Sequence, residues 1–145
     1  MTVYRHFPTK EDLMLADQNG PLVAERIAAT PAGRTLAQRI GTALVDSARM
    51  TTDRFLLARL RLKISTPALR ARHLDNQYVL QQAIADGLDI DAADPEAQFR
   101  AEAAASVCLA AMHIALARWA RDDGRTDLAG LIAEALAAAF GESGR

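Results

Sequence analysis

Alanine supplies 31 of the 145 residues, and this alanine content is the feature that most constrains what the chain can fold into. Alanine is the strongest helix former and is depleted from strands. Apolar residues recur at the spacing of one buried helix face, for example at Leu36, Ile40 and Leu44. Half of the residues are hydrophobic, so the chain can bury a core. The sequence therefore predicts an all-α fold.

Proline, glycine and capping residues divide the chain into predicted helices. These cover about residues 10–19, 22–29, 35–50, 54–65, 67–86, 95–121 and 126–140. Gly20-Pro21 is predicted to end the first helix, and Gly87 to begin a loop that reaches Pro95. Residues 60–64 alternate apolar and basic side chains, which taken alone indicates a strand. The leucine, alanine and arginine content of that segment, and the lack of a partner strand, favour a helix instead.

Several kinds of site and compartment have little support in the sequence. One cysteine, Cys108, excludes an intrachain disulfide framework and fits a reducing compartment. The three histidines share no metal-ligand spacing, and we find neither a glycine-rich phosphate loop nor a nucleophile motif. The longest uncharged apolar stretch, residues 103–117, is predicted to be too short to span a membrane. We therefore expect a cytoplasmic protein that is not an enzyme, has no cofactor or metal, and does not enter a membrane.

The most specific motif is the run TVYRHFPTKEDL at residues 2–13. It resembles the end of the DNA-binding domain of TetR-family transcriptional regulators, where the recognition helix closes with a similar aromatic run and a lysine begins the next helix. The resemblance implies contacts with operator DNA, through phosphates or base edges, by Thr2, Tyr4, Arg5, His6 and Lys10. For His6, an aromatic cluster that only fastens a helix corner is an equally good interpretation.

The resemblance also implies a division of the chain. A helix-turn-helix needs two helices, yet only Met1 precedes Thr2, so residues 1–19 are interpreted as a remnant of that DNA-binding domain. Residues 20–145 are interpreted as a ligand-binding and dimerisation domain. We expect that this chain by itself does not bind operator DNA specifically.

The C-terminal part resembles a TetR subgroup thought to sense acyl-CoA-like ligands, through residues 65–72 and the pair Arg118-Trp119. The implied function is a ligand-responsive regulator, a repressor, with a small hydrophobic or acyl-CoA-like effector. Candidate effector contacts are Phe55, Arg59, Tyr78, Met112 and His113. For the basic residues of 59–73 a solvated helix face is the favoured interpretation, and contact of one or two of them with an anionic group of the effector is the alternative. Met112 and His113 could line a cavity, although such a pair more often belongs to the core or a dimer seam. The basic residues are Arg59, Arg61, Lys63, Arg70, Arg72 and His73.

In the family the last two helices of each subunit form a four-helix bundle with their mates, which implies a homodimer. The predicted interface residues are Val107, Ile114, Leu128, Leu131, Ile132 and Leu136. The alternative function is a dimeric small-molecule-binding helical module that does not bind DNA.

Overall fold

The computed structural model describes residues 19–52, 54–65 and 67–141, with side chains described at 20–52, 55–62, 65 and 77–141. In these parts of the chain the structure contains helices and no strand, which confirms the all-α prediction. The helices are α1 (Asn19–Ala28), α2 (Leu36–Thr51), α3 (Arg54–Ser65), α4 (Pro67–Leu88), α5 (Pro95–Arg121) and α6 (Leu128–Phe140). The alternating residues 60–64 are helical, as the composition of that segment predicted.

Capping side chains set the starts of three helices. Thr35 forms a capping box with Gln38: its hydroxyl accepts from the Gln38 N–H at 3.1 Å, and the Gln38 side chain accepts from the Thr35 N–H at 3.0 Å. Asp94 accepts from the Ala97 N–H at 3.0 Å, directly before Pro95 in the first turn of α5. Asp127 caps α6 in the same way. The α2 and α5 starts agree with the sequence prediction, whereas α6 begins two residues later than predicted.

Two predicted helix ends are wrong, and both involve glycines at a helix crossing. Gly20 and Pro21 lie inside α1, and Gly87 lies inside α4. A Cβ on Gly87 would come within 2.7 Å of the Ala24 carbonyl oxygen, and one on Gly20 would lie 3.5 Å from the Ala83 Cβ. Gly87 therefore allows α1 and α4 to approach closely, whereas a Cβ at Gly20 would make an ordinary van der Waals contact. Both glycines are helical, so packing overrides their helix-breaking tendency. The domain boundary predicted after residue 19 falls within α1.

Helix α5 is the central element of the fold, in contact with α2, α3, α4 and α6. One face of α5 joins the core through Ala101, Ala105, Cys108, Ala115 and Trp119, all buried. The other core positions come mainly from α1, α2, α4 and α6. The largest side chains that are completely buried, besides Cys108, are Val23, Ile27, Ile40, Ile84 and Ile132.

By length and composition alone, α5 also meets the criterion for a membrane span. The helix is 27 residues long, longer than the uncharged stretch 103–117 on which the sequence prediction rested. A core helix of a soluble protein meets the same criterion, and the buried face of α5 contacts four other helices. The length argument against a membrane segment therefore does not hold. The packing of α5 against four other helices is the observation that indicates a core helix.

Candidate functional site

Helices α3, α4 and α5 pack against one another and carry all five predicted effector contacts. Phe55 lies in the first turn of α3 with 66% of its surface exposed, and Tyr78 lies on α4 with 69% exposed. Arg59, one turn after Phe55, is half-buried. These residues lie on packed helices, and two large aromatic side chains there face outward. Large apolar side chains that are exposed next to one another are a usual sign of a binding surface, so these two aromatics make this part of the fold a candidate.

Met112 and His113 do not share a face of α5. Met112 is half-buried and packs against the core, whereas His113 is exposed. Consecutive side chains on a helix point about 100° apart, so a ligand between helices that contacts Met112 does not lie directly against His113. Met112 therefore fits the floor of a site between helices better than His113 does.

The turn between α5 and α6 anchors α3. Arg61 forms an ion pair with Asp123, and Asp123 and Gly124 both have positive φ. The Gly124 N–H donates to the Trp119 carbonyl at 2.9 Å, and a Cβ on Gly124 would lie 3.3 Å from the side chain of Leu57. Hydrogen bonds from Thr126 and from the backbone hold the pKa of Asp122 below its ordinary value.

Helix α3 thus has one end that contacts the α5–α6 turn and one end that is available to an effector. Arg61, one of the basic residues considered as effector contacts, is engaged with Asp123. Phe55 and Arg59 lie on the part of α3 that precedes the anchor. The other basic side chains of that group, Lys63, Arg70, Arg72 and His73, lie outside the described side chains.

A second candidate site is a cleft of about 230 Å³ between α2 and α6, which sequence reasoning missed. It is lined by Gln38, Gly41, Thr42, Val45, Asp46, Arg49, Ala133 and Leu136. Arg49 and Asp46 lie 3.4 Å apart and largely neutralise one another. A Cβ on Gly41 would lie 3.1 Å from the Leu136 Cδ1, so α6 packs closely on α2 at this glycine. A glycine within the apolar stripe of α2 is the sequence feature that could have indicated this close contact. The cleft is smaller than a typical drug-sized pocket.

The predicted interface residues divide into two groups. Val107 and Ile114 are 43% and 66% exposed on α5, on the side away from the core. The four α6 residues predicted for the interface are instead buried within a single chain: Leu128, Leu131, Ile132 and Leu136. Their apolar stripe packs α6 onto α2 and α5, so interface contacts by α6 would have to come from its other faces. The predicted DNA contacts, Thr2, Tyr4, Arg5, His6 and Lys10, lie outside the described residues.

The described part of the chain thus forms an all-α domain, in which a central helix carries a core face and an exposed apolar face. The family model described as the MftR C-terminal domain matches residues 34–140, from just before α2 to the end of α6. The chain therefore belongs to this family of TetR-type C-terminal domains. No curated protein gives a significant match to it.

Proposed function

We propose that the chain is the effector-binding and dimerisation part of a ligand-responsive TetR-type regulator, and that the regulator is a cytoplasmic repressor. The observation that carries the proposal is the family match across five consecutive helices, α2 to α6. TetR-family regulators are not a known enzyme family, and the proposal assigns no catalytic role to any residue. Operator DNA is the proposed partner of the regulator.

The effector in this proposal is a small hydrophobic or acyl-CoA-like molecule that contacts the corner formed by α3, α4 and α5. Phe55 and Tyr78 supply exposed aromatic surface for an apolar chain or ring, and half-buried Met112 supplies an adaptable apolar contact. Arg59 supplies a guanidinium for a phosphate or carboxylate group of the effector.

Regulation requires that the effector bind one arrangement of the dimer better than another, because only a difference in affinity shifts such an equilibrium. Helix α3 contacts the α5–α6 turn through the ion pair of Arg61 with Asp123. An effector at Phe55 and Arg59 would therefore act on the same helix that contacts the turn between the last two helices. In this proposal α3 is the element that couples the effector to the dimer arrangement.

A thermal-shift screen tests the effector proposal, because a ligand that binds only the folded state raises its melting temperature. The probes are palmitoyl-CoA, decanoyl-CoA, palmitate and benzoate at matched concentrations. We expect at least one acyl probe to raise the melting temperature by several degrees, and the Phe55→Ala and Tyr78→Ala variants to lose most of that shift. Met50→Ala is the control, because it removes another large exposed apolar side chain, 58% exposed, from α2.

The same screen separates this corner from the cleft between α2 and α6. Ala133→Leu fills that cleft with a larger side chain at a half-buried position. We expect this variant to keep the full ligand-induced shift. Loss of the shift in Ala133→Leu and its retention in Phe55→Ala and Tyr78→Ala would move the effector to the cleft. A shift with none of the probes would contradict the proposed effector class.

A further inference from the structure

The outward face of α5 carries a pattern that goes beyond an apolar patch. Every position of this face is exposed, and successive positions are three or four residues apart: Glu96, Phe99, Ala103, Val107, Ala110, Ile114, Arg118 and Arg121. This is the spacing of a seam between two packed helices. It lies opposite the buried face of α5, which includes Cys108 and Trp119. We call these eight residues the α5 seam.

The steps along the α5 seam are 3, 4, 4, 3, 4, 4 and 3 residues, and they read the same from either end. Two copies of α5 placed antiparallel about the midpoint between Cys108 and Leu109 therefore bring the seam positions into pairs. The pairs join Glu96 to Arg121, Phe99 to Arg118, Ala103 to Ile114, and Val107 to Ala110. Each pair occurs twice in a two-fold dimer, because residue i meets j where j meets i.

Side-chain size is complementary in the central pairs. Ile114, 66% exposed, meets Ala103, and Val107, 43% exposed, meets Ala110. A large residue opposite a small one lets two helices interdigitate, whereas large side chains opposite each other hold the axes apart. A parallel in-register pair would place Ile114 against Ile114 and Ala103 against Ala103, which fits less well.

Charge is complementary in the outer pairs. The antiparallel arrangement places acidic Glu96 against basic Arg121, and the guanidinium of Arg118 against the ring of Phe99. A parallel arrangement places Arg118 and Arg121 beside the same residues of the second copy, and Glu96 beside Glu96. Like charges in contact oppose that alternative, so the charged ends select the orientation.

We propose that a second copy of this chain docks on the α5 seam with its own α5 antiparallel, in the register that pairs Glu96 with Arg121 and Ala103 with Ile114. This inference rests on the homodimer of the proposed function and adds its orientation, its register and the residues that select them. The α6 residues that sequence analysis placed in the interface are not needed for it, since α5 alone supplies the seam.

Charge reversal at the outer pair tests the orientation. Arg121→Glu and Glu96→Arg, each alone, place like charges together and raise the dimer dissociation constant about tenfold in sedimentation velocity. The double variant Glu96→Arg with Arg121→Glu restores attraction and returns the constant to near the wild-type value. Arg125→Glu is the control, because it makes the same charge change in the exposed turn after α5, outside the seam.

Cysteine cross-linking tests the register. Protein carrying Ala103→Cys is mixed with protein carrying Ile114→Cys and oxidised. We expect a heterologous disulfide, because the pairing brings these two positions together. Either protein alone should not cross-link, since two copies of residue 103 would lie about 16 Å apart along the seam, from a rise of about 1.5 Å per residue. The native thiol of Cys108 is buried and does not compete.

The outcomes separate this inference from the proposal on which it rests. A wild-type chain that stays monomeric at high concentration, or that binds lipid vesicles as a monomer, overturns both the homodimer and the seam. A wild-type dimer in which the double charge reversal fails to restore association, or in which residue 103 cross-links to itself, overturns the antiparallel register and leaves the homodimer standing.

Discussion

At the scale of single residues, Cys108 shows how the core changes the chemistry of a side chain. It has no exposed surface, and burial raises the pKa of its thiol from an ordinary value of 9.0 to about 12. A thiolate is the reactive form of cysteine, so the buried thiol is inert in the folded protein. This agrees with the place of Cys108 on the core face of α5.

The raised pKa of Cys108 predicts a pH dependence of stability. The unfolded chain releases the thiol proton near pH 9, whereas the folded protein holds it up to about pH 12. The contribution of the protonated thiol to stability is therefore complete below pH 9 and is lost as the pH rises from there to 12. We expect the free energy of unfolding, from urea titrations, to fall by roughly 1 kcal/mol for each pH unit above 9 on this account.

The Cys108→Ala variant has no thiol at this position, so its free energy of unfolding lacks the pH-dependent contribution of Cys108 and serves as the reference. The difference in unfolding free energy between wild type and variant should be constant below pH 9 and should shrink above it. A difference that stays constant from pH 7 to pH 11 would show that the thiol titrates normally in the folded protein.

Gly87 predicts a second residue-scale effect. A Cβ at this position would lie 2.7 Å from the Ala24 carbonyl oxygen and 2.9 Å from its Cα, and backbone cannot move aside as a flexible side chain can. Gly87→Ala should therefore push α1 away from α4 and destabilise the protein by about 1–3 kcal/mol in urea unfolding. The matched control is Gly33→Ala, where a Cβ meets nothing within 4 Å and stability should change little. Equal stabilities of the two variants would contradict the close crossing.

At the scale of elements, α2 depends on its N-terminal cap. The Thr35 hydroxyl and the Gln38 side chain satisfy each other's backbone N–H groups. Thr35→Ala should lower the free energy of unfolding by about 1 kcal/mol, whereas Thr35→Ser keeps a hydroxyl acceptor and should lower it much less. Chemical denaturation of both variants measures this difference, and equal losses in the two would exclude the capping box as the cause.

Elements with strong local signals could be predicted from the sequence alone. Helices α2 and α5 start where Thr35 and Asp94 cap them, and α3 is helical despite its alternating pattern. The failures lie at Gly20-Pro21 and Gly87, where local signals end a helix. There the contact between α1 and α4, over sixty residues apart in the chain, decides the conformation, and no local pattern encodes such a contact.

The candidate site was less predictable than the fold for a similar reason. Periodicity identifies which residues share a face of a helix, but it does not say whether that face meets the same chain, a second copy or solvent. The stripes of α5 and α6 have the same spacing in the sequence. The structure buries Leu128 and Ile132 of α6 in the core and leaves Val107 and Ile114 of α5 exposed.

At the scale of the whole molecule, α5 links the two proposed activities. Its core face contacts α3 and α4, which carry the exposed aromatic residues Phe55 and Tyr78, and its outward face carries the α5 seam. A ligand that shifts α3 or α4 against α5 would change the helix on which the second copy docks. In the two proposals together, effector and dimer contacts lie on opposite faces of one helix.

Native mass spectrometry of the chain with saturating palmitoyl-CoA tests the effector contacts and the dimer in one experiment, because it reads the number of chains and the bound ligand together. One chain has a mass of 15.6 kDa. We expect a dimer of twice that mass that carries one ligand on each chain, and a dimer that carries none for Phe55→Ala combined with Tyr78→Ala. A monomer would contradict the homodimer, and a dimer with no bound ligand under conditions that preserve binding would contradict the proposed effector.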